Sequence, residues 1–141
     1  MAVIAIMSNS DEERIKVKEV VLAYTKQSDL KFVEYNVGGR HKADLMGEVN
    51  GDVIAKAIDL LIASDWLETG WDEFSSAELI AFCHRATPGF PFIIITGAQI
   101  SEDDIENILT THIYPAQYFL VKDHELAKTM VEEIDRLCQK D

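Results

Sequence analysis

Apolar runs in this sequence end on polar residues of the kinds that handle phosphoryl groups and cations. Val3 to Met7 is followed by Ser8 and Asn9, with Asp11 close behind. Ile58 to Ala63 leads through Ser64 to Asp65, Phe90 to Ile95 leads to Thr96 and Gly97, and Tyr118 to Val121 leads to Lys122. An aspartate can act as a nucleophile and carry an acyl phosphate. A lysine and a hydroxyl can hold phosphoryl oxygens while charge develops on them. If the runs are parallel strands, their carboxyl ends share one edge, and ligands of open α/β sheets collect there. The candidate chemistry is phosphoryl transfer to Asp65, with Thr96 and Lys122 as its supports.

Positioning three such distant residues requires a sheet, and the sequence carries the pattern for one. The first strand is Val3 to Met7. Ser10 fits a helix N-cap and Glu13 completes a capping box, while Val17, Val20, Val21 and Tyr24 form an apolar stripe. Lys31 to Val37 reads as the second strand, ended by Gly38-Gly39. Residues Arg40 to Gly51 fit a short helix, a long loop or both. Ile58 to Ala63 reads as a buried third strand, but Val53, Ile54, Ala57, Ile58 and Leu61 also stand at helical spacing, so a continuous helix is an alternative. Ser75 and Glu78 form a second capping box, opening a helix that ends before Pro88-Gly89. Phe90 to Thr96 is the clearest central strand, and Ser101 caps a helix through Ile105, Ile108 and Leu109. A short strand, Tyr118 to Val121, precedes a last helix from about Asp123 to Cys138, with Met130, Val131, Ile134 and Leu137 facing the sheet. The whole is expected to be one domain, residues 1–141, with a flavodoxin-like (βα)5 doubly wound parallel sheet.

Composition is consistent with that plan. The chain of 141 residues is 48% apolar and 27% charged, as in soluble globular domains, and can bury a core. Its longest apolar runs fall far short of the roughly 20 residues needed to cross a bilayer, so no membrane association is expected. No basic leader precedes the first strand. The net charge of −12, with no Lys/Arg stripe, argues against nucleic acid as a partner. Cys83 and Cys138 lie in apolar helical contexts and are read as reduced core thiols, from which a cytoplasmic location follows.

The order and separation of these runs resemble the receiver domains of two-component response regulators. Asp59 to Leu67 looks like a receiver's third strand with its phosphoacceptor, and Pro91 to Gly97 like the fourth, where a hydroxyl residue precedes a small one. Ala116 to Lys122 looks like the fifth strand with its lysine, and Phe119 falls where receivers carry a switching aromatic. The resemblance implies a stand-alone phosphorelay module whose partner is a histidine kinase or another signalling protein, with a homodimer an option. It also implies Mg²⁺, held by Asp65 and Asp11 with Ser8 and Asn9 nearby. The chain departs from the family in three places. Ser8 and Asn9 stand for its acidic pair, which should weaken Mg²⁺, a cation that favours carboxylate ligands. Asp123 replaces the proline that usually follows the lysine. The stretch between strands two and three is also long. If Asp65 is not modified, the module is a pseudo-receiver that docks constitutively.

Each residue also has a simpler role. Asp65 could cap a loop or helix, Lys122 could be solvated, and Phe119 could be core. Trp66 and Trp71 are expected to pack against the loop after strand three, while exposed aromatics there would form a partner surface. His41, His84, His112 and His124 share no metal-ligand spacing. The alternative function is a small α/β enzyme resembling nucleoside deoxyribosyltransferases, with Glu78 catalytic.

Overall fold

The computed structural model describes residues 2–64, 66–95, 113–115, 131, 132, 134–136 and 138. In chain order the elements are β1 (Ala2–Met7), α1 (Asp11–Tyr24), β2 (Leu30–Glu34), α2 (Lys42–Ile54), β3 (Leu60–Ser64), β4 (Trp66–Glu68), β5 (Glu73–Ser75), α3 (Ser76–Ala86), β6 (Phe92–Ile95) and β7 (Ile113–Pro115). Val131, Glu132 and residues 134–136 are helical. The predicted helix from Ser101 and the strand Tyr118 to Val121 lie outside the described residues.

Side chains alternate across a strand, so each strand of a covered sheet feeds two cores. Ile4, Ile6, Leu60 and Ile62 pack on one face with Val17 and Val21 of α1 and with Val131 and Ile134. Ala5, Met7, Leu61 and Ala63 face the other way, toward Leu45 and Val49 of α2 and Leu79 and Cys83 of α3. The strands run in the order β2-β1-β3-β6-β7 with every neighbouring pair parallel. This is the doubly wound, flavodoxin-like plan, with helices on both faces. Cys83 and Cys138 are buried in the two opposite cores and are not joined by a disulfide. No helix among the described residues is long and apolar enough to cross a membrane.

The ambiguous stretch between the second and third strands is divided. α2 runs to Ile54, Ala55 caps it, and Lys56 takes a left-handed φ of 58° that stops the helix. The chain re-enters the sheet at Leu60, and all of β3 is buried. A strand covered on both faces loses the period-two signal, which is why helix and strand competed in the sequence. Asp59 fixes the entry: its carboxylate accepts the Val3 N–H at 2.8 Å and its own N–H reaches the Val3 carbonyl at 2.8 Å.

Two further differences concern strands. The strand beside β6 is Ile113–Pro115, a segment the hydropathy pattern does not single out, and its Pro115 is tolerated at the edge of the sheet. Between β3 and α3 the chain folds an antiparallel hairpin, β4–β5, that the sequence reading did not anticipate. Leu67 and Phe74, opposite each other in its register, are both fully buried in the α2/α3 core.

A long-range tie closes the other face. The Asp135 carboxylate accepts from the Thr25 hydroxyl at 2.6 Å, the Lys26 N–H at 2.9 Å and the Gln27 amide at 2.9 Å. It thereby joins the end of α1 to the C-terminal helical residues. Asp135→Ala is expected to cost about 2 kcal/mol in urea unfolding, since hydrogen bonds to charged acceptors exceed neutral ones. A loss under about 0.5 kcal/mol, the range of ordinary surface changes, would show that the tie does not hold that helix.

Candidate functional site

The carboxyl ends of β1 and β3 are adjacent, because Met7 is in register with Ala63. Two buried hydroxyls finish these strands, Ser8 at 1% and Ser64 at 9% exposure. Both donate to the same oxygen of Glu13, Ser8 at 2.7 Å and Ser64 in a shorter contact. A half-buried carboxylate from the first turn of α1 thus bridges the rim between β1 and β3.

Glu13 reaches the rim because the capping box is only half made. Ser10 Oγ accepts the Glu13 N–H at 3.2 Å, as expected of an N-cap. The return bond from Glu13 to the Ser10 N–H is absent, since Ser8 Oγ accepts that N–H at 3.1 Å. This leaves the Glu13 side chain to cross to Ser64, 51 positions away. The capping-box spacing assigns Glu13 to the cap and not to the edge; a serine two residues before the N-cap is the one local signal of the difference.

Asn9 and Asp11 are engaged elsewhere. The Asn9 amide pins the hairpin, donating to the Trp66 carbonyl at 3.4 Å and accepting the Glu68 N–H at 3.1 Å. Asp11 is exposed and paired with Arg14. It lines a cleft of about 270 Å³ with Glu34, Tyr35 and Asn36 at the end of β2. That is the opposite side of β1 from β3, given the order β2-β1-β3. Asp65, Thr96, Phe119 and Lys122 lie outside the described residues.

Mg²⁺ takes a near-octahedral set of hard oxygens, carboxylates prominent among them. At this rim Ser8 points its proton at Glu13, the Asn9 oxygen is occupied by a backbone N–H, and Asp11 belongs to another cleft. Among the described residues no group of three or more His, Cys, Asp or Glu gathers as a metal site. The donors described here do not fit a receiver-type Mg²⁺ site.

The groups with raised pKa lie off the rim. Burial pushes the Cys83 thiol up to about 11. Burial, and then the carboxylate of Asp52 that accepts its hydroxyl at 2.7 Å, raises Tyr35 so that it stays a neutral phenol. The Glu78 side chain pairs with Lys42 at 3.0 Å. A groove of about 610 Å³ lies at the amino edge of the sheet, lined by Val53, Ile54, Lys56, Ile58, Asp59, Ala86, Thr87 and Phe90, and Glu78 is not part of it. The enzyme alternative draws no support from that placement.

No family model matches this sequence, and no curated protein matches it. Solved structures do match the fold. A pilus assembly-related protein from Burkholderia pseudomallei is similar at a TM-score of 0.63 and 12% identity, over 99% of this chain and 93% of that one. A CheY-like response regulator receiver domain protein from Methanospirillum hungatei is similar at 0.61 and 14% identity, over 97% and 96%. The receiver domain of a response regulator from Rhodospirillum rubrum is similar at 0.61 and 10% identity, over 95% and 91%. The chain therefore has the fold of CheY-like receiver domains.

Proposed function

We propose that this chain is a receiver-like signalling module that works through protein–protein contact without metal-dependent phosphotransfer. The observation that carries this reading is the Glu13 bridge between Ser8 and Ser64. Where a receiver carries its acidic pair, Ser8 and Asn9 offer a hydroxyl and an amide whose capacity is spent within the protein. A rim closed in this way needs no cation to hold β1 and β3 together. In this pseudo-receiver form the partner is another signalling protein.

Phosphorylation of Asp65 is the second reading, and Ser64 favours it. Ser64 ends β3 at the carboxyl edge, and Asp65 follows it in sequence, the order in which receivers carry their phosphoacceptor. In that reading Lys122 and Thr96 hold the phosphoryl oxygens, Phe119 responds, and a histidine kinase acts upstream.

Beryllofluoride with millimolar Mg²⁺, a mimic of the phosphoryl group, separates the two. The proposed module is expected to show no change in tryptophan emission, although Trp66 adjoins Asp65 and would report one. A change that disappears in Asp65→Asn would overturn the proposal and establish the phosphorylated form.

A further inference from the structure

The outward face of the β4–β5 hairpin combines features that a free surface rarely keeps. Glu68 and Glu73 are directly opposite in its register, and both are exposed. Like charges facing each other across a strand pair are destabilising. No ion pair among the described residues relieves them. The nearest cations along the docked loop, Arg40 and Lys42, are already paired with Glu48 and Glu78. Trp66 shares the Glu68 face of β4 by strand alternation and is 48% exposed, and Trp71 in the turn is 68% exposed.

The hairpin is also held rigid. Thr69 is buried, and its hydroxyl accepts the Trp71 N–H at 3.2 Å and the Asp72 N–H at 2.9 Å. Gly70 supplies the left-handed turn at φ 90°. Outside bonds fix the hairpin to the β2–α2 loop, with Gly39 N–H on the Thr69 carbonyl at 2.6 Å and Lys42 N–H on Asp72 at 2.8 Å. The Trp71 ring leans on His41, with centroids 5.0 Å apart. Pre-ordered aromatic side chains lose little freedom on binding and dominate many interfaces.

The geometry points to a docking surface for a basic segment of a partner protein. An arginine or lysine of that segment lies between Glu68 and Glu73 and against the Trp66 indole, with Trp71 as a second anchor. Charge complementarity selects the partner. A cation between the glutamates removes their repulsion, and an exposed indole face attracts it further. This surface rests on the reading of the chain as a protein-contact module and adds where the contact is made and with what chemistry.

The test is fluorescence anisotropy with a labelled hexa-arginine peptide on the whole chain. Glu68→Gln/Glu73→Gln and Trp66→Ala are each expected to weaken binding at least tenfold. A control, Glu12→Gln/Glu19→Gln, removes the same charge from the exposed side of α1 and is expected to change it less than twofold. Glu68→Gln should also raise the melting temperature of the free protein by about 1–2 °C, because it removes the facing charges. That readout shows that weakened binding is not lost folding. Equal weakening in the control would mean general attraction to an acidic protein and would overturn the surface. So would absence of binding to the wild type, or sedimentation showing that the hairpin instead pairs with a second copy of the chain. None of these results bears on whether beryllofluoride changes the tryptophan emission of the wild type, so the two proposals fail separately.

Discussion

Phe74→Ala is expected to lower folding stability by about 3–5 kcal/mol, the range for truncating a buried phenylalanine. Phe74 is fully buried although it belongs to a strand of only three residues. With Leu67 it is the means by which the hairpin reaches the α2/α3 core. Removing the ring leaves a cavity that neither α2 nor α3 can fill without moving. For a domain of this size the melting temperature should drop by roughly 10 °C. Circular dichroism measures that drop, and tryptophan emission should shift to the red at lower temperature still if the hairpin leaves first. A loss below about 1 kcal/mol would show that the hairpin's backbone bonds, and not its core contacts, hold it.

The second large effect is expected at Glu13. Glu13→Ala removes the shared acceptor of Ser8 and Ser64 and leaves two buried hydroxyls without it. An orphaned Ser64 costs about 1–3 kcal/mol. Ser8 is left with only a long 3.5 Å contact from its hydroxyl to the Ser10 carbonyl, so a total of about 3 kcal/mol is expected in urea unfolding. Glu13→Gln keeps an oxygen acceptor of the same reach and should lose about 1 kcal/mol. Glu12→Ala, one residue away and exposed, should stay within about 0.5 kcal/mol. If Glu13 were instead a metal ligand, wild-type stability would rise with added Mg²⁺, because a ligand that binds only the folded state stabilises it. The rim described here predicts curves that coincide with and without Mg²⁺.

Much of the frame was legible because its causes are local. Ser10 and Ser75 cap α1 and α3 as their spacing indicates, each accepting the N–H three residues on. The apolar runs of β1 and β6 locate the sheet, and the stripe on α1 locates one of its covers. The hairpin was legible in principle: Trp66-Leu67-Glu68 and Glu73-Phe74-Ser75 alternate around a four-residue turn containing Gly70. Two strands of three residues fall below the length at which alternation stands out. The choice between helix and strand near Ile58 was not legible, since full burial erases the period that distinguishes them.

The candidate site divides along the same line. Sequence could identify Ser8, Asn9 and Asp11 as the residues that follow β1, because chain order alone puts them there. It could not tell that Asn9 would clamp a hairpin, that Asp11 would turn toward β2, or that Glu13 would leave its cap for Ser64.

By itself, then, the sequence determined the strands β1 and β6, the starts of α1 and α3, and many of the side chains that seek the interior. These follow from propensity, period and capping within a few residues of chain. The tertiary structure alone decided which polar atoms meet at the rim and which tryptophans stay in solvent. Those outcomes depend on contacts between segments tens of residues apart, and whether a hydrogen bond between them forms is a matter of distances in space.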